Sequence, residues 1–174
     1  MTRSIAFLLV AWAALVVLSA LMGALPLSWG GRFAAPDVLL LVAMFVGLAA
    51  RESVVSACVL GLLLGYLGDL FSGAPKGLHM VVYPVAVLAA RAATTRLMVR
   101  GRVATALSAA VFALVFGVLI ATLRASFDPD AGWGALREVP AMALATAVVA
   151  PLMFRILGRL EKSFVRETRG LGAS

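Results

Sequence analysis

The sequence predicts an all-α integral membrane protein: a bundle of six transmembrane helices with both termini in the cytoplasm. Three observations carry that expectation: an apolar composition, six uncharged segments, and a one-sided distribution of lysine and arginine. Of the 174 residues, 63% are hydrophobic and 13% are charged, against about 25% charged in an ordinary soluble domain. Mean hydropathy is +1.07. A domain of this size has too much surface for its volume to hide that many apolar side chains from water. A cytoplasmic globular enzyme, a secreted disulfide scaffold and a disordered chain are therefore excluded.

The apolar segments run Ser4–Leu25, Pro36–Ala50, Ser53–Gly68, Leu78–Ala90, Val103–Leu123 and Val139–Phe154. The first and fifth reach the roughly 20 residues that an untilted helix needs to cross the hydrocarbon core. The other four have 13 to 16 residues. They can span if their helices extend into flanking polar residues, with Arg51, Arg91 and Arg155 snorkelling to the surface. The first segment imitates a signal peptide, but Ser4 to Gly31 carries no charge, and an uncleaved first span is expected. Residues 1–154 then form the bundle, and residues 155–174 a basic amphipathic cytoplasmic tail.

Charge sets the orientation. The net charge is +7, which in a membrane protein reflects retention of lysine and arginine in cytoplasmic loops rather than nucleic-acid binding. Six spans put 11 of these residues on one side, including Arg91, Arg96, Arg100, Arg102 and the tail. Arg32, Lys76, Arg124 and Arg137 fall on the other. Removing one span would send a basic cluster outside. Trp29, Phe33, Phe127 and Trp133 fall in outer connections, where aromatic rings favour the headgroup layer. Gly30-Gly31 and the run Asp128–Gly134 read as turns. In the tail, Ile156, Leu160 and Phe164 recur between Arg155, Arg159, Lys162 and Arg166. That pattern either meets anionic lipid at the inner surface or continues and anchors the sixth helix.

Lipid tails are as apolar as leucine, so helices associate through close backbone approach and polar contacts. In the third segment Ser53, Ala57, Gly61 and Gly65 recur every four residues, with Asp69 next in the series. In the fifth, Thr105, Ala109, Ala113, Gly117 and Ala121 do the same. Each stripe either packs the bundle together or receives a partner's transmembrane helix. Cys58, the single cysteine, has no intrachain disulfide partner and no neighbouring His and acid to make it a nucleophile.

Asp69 is the unusual residue. Leu70 and Phe71 follow it, so its carboxylate is expected below the membrane surface, where intramembrane acids face the bundle interior and find partners. Lys76 and His79 can reach back to it across a turn containing Gly73, Pro75 and Gly77. It can also accept backbone N–H groups at the start of the fourth helix. The carboxylate either pins a tight turn or meets a ligand, proton or partner. His79 has no second His and no Cys near it, which makes it a polar helix-end residue rather than a metal ligand.

Pro36-Asp37 before an apolar helix, followed by Gly61-x-x-x-Gly65-x-x-Gly68-Asp69-Leu70-x-Ser72-Gly73-x-Pro75-x-Gly77-Leu78-His79, resembles the rod shape-determining MreD family over about residues 36–90. The resemblance implies a non-enzymatic component of the bacterial cell-elongation machinery in the inner membrane, without cofactor. It implies binding to MreC, a single-pass protein, and association with RodA, a class B penicillin-binding transpeptidase and the MreB cytoskeleton. It also implies that Pro36, Asp37, Asp69, Ser72, Gly73, Pro75, Gly77 and His79 carry the family's loop.

Two rival classes fit these residues less well. Catalysis needs a positioned base or nucleophile, and Ser72 and His79 share one loop while Asp69 stands alone between Glu52 and Asp128. A six-span architecture with both ends inside also resembles the substrate-binding subunits of energy-coupling-factor vitamin transporters, which would place a pocket on the outer side near Asp69. The expectation is a scaffold in which a small-residue groove takes a partner's helix and the 69–79 loop stiffens its outer end.

Overall fold

A computed structural model describes residues 36–49, 53–72, 76–94 and 102–170, together with residues 9, 12, 13 and 16, which are helical. The expected first span otherwise lies outside the described residues. Those residues form five helices: α1 (Val38–Ala49), α2 (Val54–Ser72), α3 (Leu78–Thr94), α4 (Arg102–Phe127) and α5 (Pro129–Gly170). Three of them are long and apolar enough to cross a membrane, over Val54–Phe71, Val103–Phe127 and Trp133–Lys162. The other two are shorter.

Contacts along the helices give their directions. Glycines of α2 meet α3 in reverse order, Gly61 at Pro84 and Gly65 at His79, so these two are antiparallel. Asp128 alone separates α4 from α5, and Gly117 before it folds back onto Val139 and Met142 after it, another antiparallel pair. Asp37 and Phe45 of the α1 segment meet Thr146 and Phe154 of α5 in the same order. Asp37 and Gly47 of the α1 segment meet Tyr83 and Val87 of α3 in the same order, so α1, α3 and α5 run one way and α2 and α4 the other, the alternation that short connections impose.

Helix α1 is the centre of the molecule. Its sequence VLLLVAMFVGLA is apolar on every side, and ten of its 12 residues are buried, the arrangement expected of a helix without a polar face. At 1.5 Å per residue it is only about 18 Å long. Phe45 closes it onto α5 through an edge-to-face contact with Phe154, ring centres 5.5 Å apart. At its far end Gly47 lets α3 approach so closely that a Cβ there would lie 2.5 Å from the Val87 carbonyl oxygen.

Several boundaries differ from the sequence reading. Helix α2 runs through Ser72, so Asp69 sits in its last turn rather than in a loop. The run Asp128–Gly134 is not an extended turn: Asp128 alone separates α4 from α5. Asp followed by Pro is also a helix-start signal, because Pro is pre-shaped for the first helical position and has no N–H to leave unpaired. Helix α5 then continues past Phe154 to Gly170 without a break, so the basic stretch opens as a prolongation of the last span.

Candidate functional site

The first N–H groups of a helix have no partner inside it, and in lipid no water can serve them. At the starts of α1 and α3 two aspartates meet that need. Asp37 precedes α1, and its Oδ1 accepts a hydrogen bond from the Leu40 N–H at 2.9 Å. The Tyr83 hydroxyl of α3 donates to the same carboxylate, 2.9 Å from Oδ1 and 3.1 Å from Oδ2. The Asp37 N–H donates to Thr146 Oγ1 of α5 at 3.0 Å, and that hydroxyl donates on to the Met142 carbonyl at 2.7 Å. One residue thus ties three helices together at one end.

Asp69 works from a distance. From the last turn of α2 it accepts the N–H groups of Gly77 at 2.8 Å and His79 at 2.9 Å, and the His79 ring Nδ1 approaches Oδ1 at 2.8 Å. An ionised carboxylate accepts only, so the shared proton is assigned to Nδ1. The Met80 N–H lies further off, at 3.4 Å. Gly77 holds φ at +97°, a left-handed conformation suited to glycine. Asp69 and His79 are both buried. The imidazole and the Tyr83 ring meet edge to face, centres 5.6 Å apart, so the two aspartate clusters adjoin along one face of α3.

This geometry depends on the glycines of α2. A Cβ on Gly65 would collide with the backbone of His79 and Met80, and one on Gly61 would lie 3.1 Å from Pro84 Cα. Ala57, Gly61 and Gly65 are buried against the chain's own helices, and the face of Gly61 and Gly65 is filled by α3. Ser53 does not belong to that groove. It is exposed, and its Oγ caps α2 by accepting the Ser56 N–H at 3.1 Å. Ala109, Ala113 and Gly117 form the buried side of α4, where Gly117 faces Val139 and Met142 of α5.

The remaining predicted residues are dispersed. Pro36 is buried just ahead of Asp37, Ser72 ends α2, and Gly73 and Pro75 lie outside the described residues. Lys76 is exposed and is not among the partners of Asp69. Arg155, Arg159 and Lys162 are exposed on α5, which also carries Arg166. Two members of the polar cluster, Tyr83 and Thr146, are absent from the sequence reading. Tyr83 lies four residues beyond His79 and so on the same helix face, a spacing that could have revealed it. Thr146 gave no such signal, being a single hydroxyl in an apolar run.

Beside the clusters is a cavity of about 340 Å³ between α1, α3, α4 and α5. Asp37, His79, Arg124 and Glu138 supply its polar lining, and Gly117, Ile120, Ala121, Val139 and Met142 its apolar walls. Among the described residues no group of three or more His, Cys, Asp and Glu is placed to hold a metal ion.

A multi-helix membrane protein whose buried acids hold one helix to another is the class these features define. The chain belongs to the MreD family: the family model described as rod shape-determining protein MreD matches residues 2–162. Membership makes it a shape-determining structural protein with a role in rod shape. Comparison with curated proteins and with solved structures finds no match.

Proposed function

We propose that the chain is a non-enzymatic scaffold of the cell-elongation, peptidoglycan-synthesising machinery in the bacterial inner membrane. In this reading it holds MreC by a segment next to that protein's single transmembrane helix. RodA, the class B transpeptidase and MreB assemble around the pair, and the basic end of α5 lies against anionic lipid. Family membership supports the setting. One observation carries the binding mode: Gly61, Gly65 and Gly117, which would admit a foreign helix, face the chain's own helices, while a cavity of about 340 Å³ lies between α1, α3, α4 and α5. The two aspartates at this end of the bundle are engaged in holding helices together. Asp69 receives two backbone N–H groups and an imidazole, and Asp37 a backbone N–H and a phenol. The count of lysine and arginine puts this end of the bundle outside.

The test is to fill the cavity. Ala135 lines it and is only partly buried, so Ala135→Trp should occupy the space without disturbing a packed helix face. Co-purification of MreC should fall sharply while the thermal midpoint of the isolated protein holds. Retention of MreC at the wild-type level would reject the site. The vitamin-transporter reading draws on the same cavity, whose volume is at the lower end of the roughly 300–1,000 Å³ typical of small-molecule pockets. Native mass spectrometry separates the two: a bound vitamin favours transport, a bound membrane protein the scaffold.

A further inference from the structure

We infer that the partner segment entering the cavity carries a carboxylate and that the Arg124 guanidinium is the group that grips it; the inference rests on the docking reading above. It follows from an inventory of the polar lining. Both oxygens of Asp37 are within hydrogen-bond distance of the Tyr83 hydroxyl, and Oδ1 also takes the Leu40 N–H. His79 has committed Nδ1 to Asp69. Glu138 is exposed and already has an interaction of its own. Arg124 brings a fixed positive charge to this lining. It is half-buried near the end of α4, and its side chain makes no ion pair or hydrogen bond among the described residues.

A guanidinium cannot shed its proton, and its planar fork of N–H donors matches the two oxygens of a carboxylate. Half-removed from water beside the apolar walls of Ile120, Val139 and Met142, it is stabilised by a partner that supplies that shape and charge. A neutral or basic segment would leave the guanidinium without such a partner in a half-enclosed cavity. An aspartate or glutamate beside the partner's membrane span would fill the cavity's free volume and satisfy Arg124 together. Shape and charge point to the same occupant.

The experiment measures MreC affinity for the full-length protein in nanodiscs, comparing wild type with Arg124→Lys, Arg124→Gln, Arg124→Glu and Ala135→Trp. Loss of the fork in Arg124→Gln should weaken binding by about tenfold or more, with Arg124→Lys between it and wild type. Arg124→Glu should bind worst, and one acid-to-arginine change in the partner's membrane-proximal segment should restore it. A misfolded protein could not be rescued in this way. Wild-type affinity in Arg124→Gln, with Ala135→Trp defective, overturns the carboxylate and leaves the cavity as the docking site. Wild-type affinity in both variants overturns the docking reading itself. Failure of every acid-to-arginine change to rescue Arg124→Glu also overturns the carboxylate.

Discussion

At the residue scale, Asp69 shows why a buried acid is tolerated in so apolar a chain. Its side chain is 4% exposed, and a carboxylate so placed would be costly without donors around it. Asp69→Ala strips acceptors from the Gly77 and His79 N–H groups and from the imidazole. Since each orphaned buried donor costs about 1–3 kcal/mol, the variant should lose roughly 3 kcal/mol of stability in reversible unfolding from detergent micelles. Gly77→Ala examines the same joint through the backbone. Nothing lies within 4 Å of the added Cβ, so the loss should be only the left-handed penalty of about 1–2 kcal/mol. Equal stability of Asp69→Ala and wild type would mean that the α2–α3 joint does not depend on this carboxylate. The sequence offered Lys76, His79 and the backbone N–H groups of the next helix as partners for Asp69, because all lie within ten residues of it across a turn. The fold selects His79 and the N–H groups. The sequence did not expose the Asp37–Tyr83 pair, whose members are 46 residues apart and meet only once the helices are assembled.

At the element scale, the small-residue stripes were legible and their occupants were not. A repeat every four residues marks a face for close approach, yet lipid and leucine are so alike that the pattern says nothing about which helix comes. In the folded chain α3 comes to α2 and α5 to α4. Gly65→Ala should therefore separate α2 from α3 and destabilise the protein even without a partner, because the new Cβ meets backbone that cannot step aside. Gly68→Ala, whose nearest neighbour is the His79 Cβ at 3.3 Å, should be much milder. A thermal midpoint for Gly65→Ala no lower than that for Gly68→Ala would contradict the packing. The helix ends were the least legible part. Phe71 and Ser72 extend α2 past Asp69, and the run from Pro129 to Gly134 is helix, opened by the Asp128-Pro129 start signal.

At the scale of the whole molecule, α5 is a ruler. The 30 residues from Trp133 to Lys162 extend about 45 Å as a helix, more than the roughly 30 Å hydrocarbon core. In a Cys58→Ser background, a membrane-impermeant maleimide should label Trp133→Cys in intact spheroplasts and Lys162→Cys only after permeabilisation. The reverse pattern would invert the orientation, and with it the side to which the cavity opens.

The sequence by itself determined that this protein belongs to the membrane, that its helices alternate in direction, and that two of them carry faces made for close contact. Composition, segment length and residue spacing are local properties, and those conclusions need nothing more. Only the tertiary structure decided that short, all-apolar α1 is the centre, that the chain fills its own grooves, and that Asp37, Tyr83 and Thr146 meet beside a cavity bearing Arg124. Those facts depend on which helix lies next to which, and hydrophobicity alone does not choose among neighbours when the solvent is itself hydrocarbon.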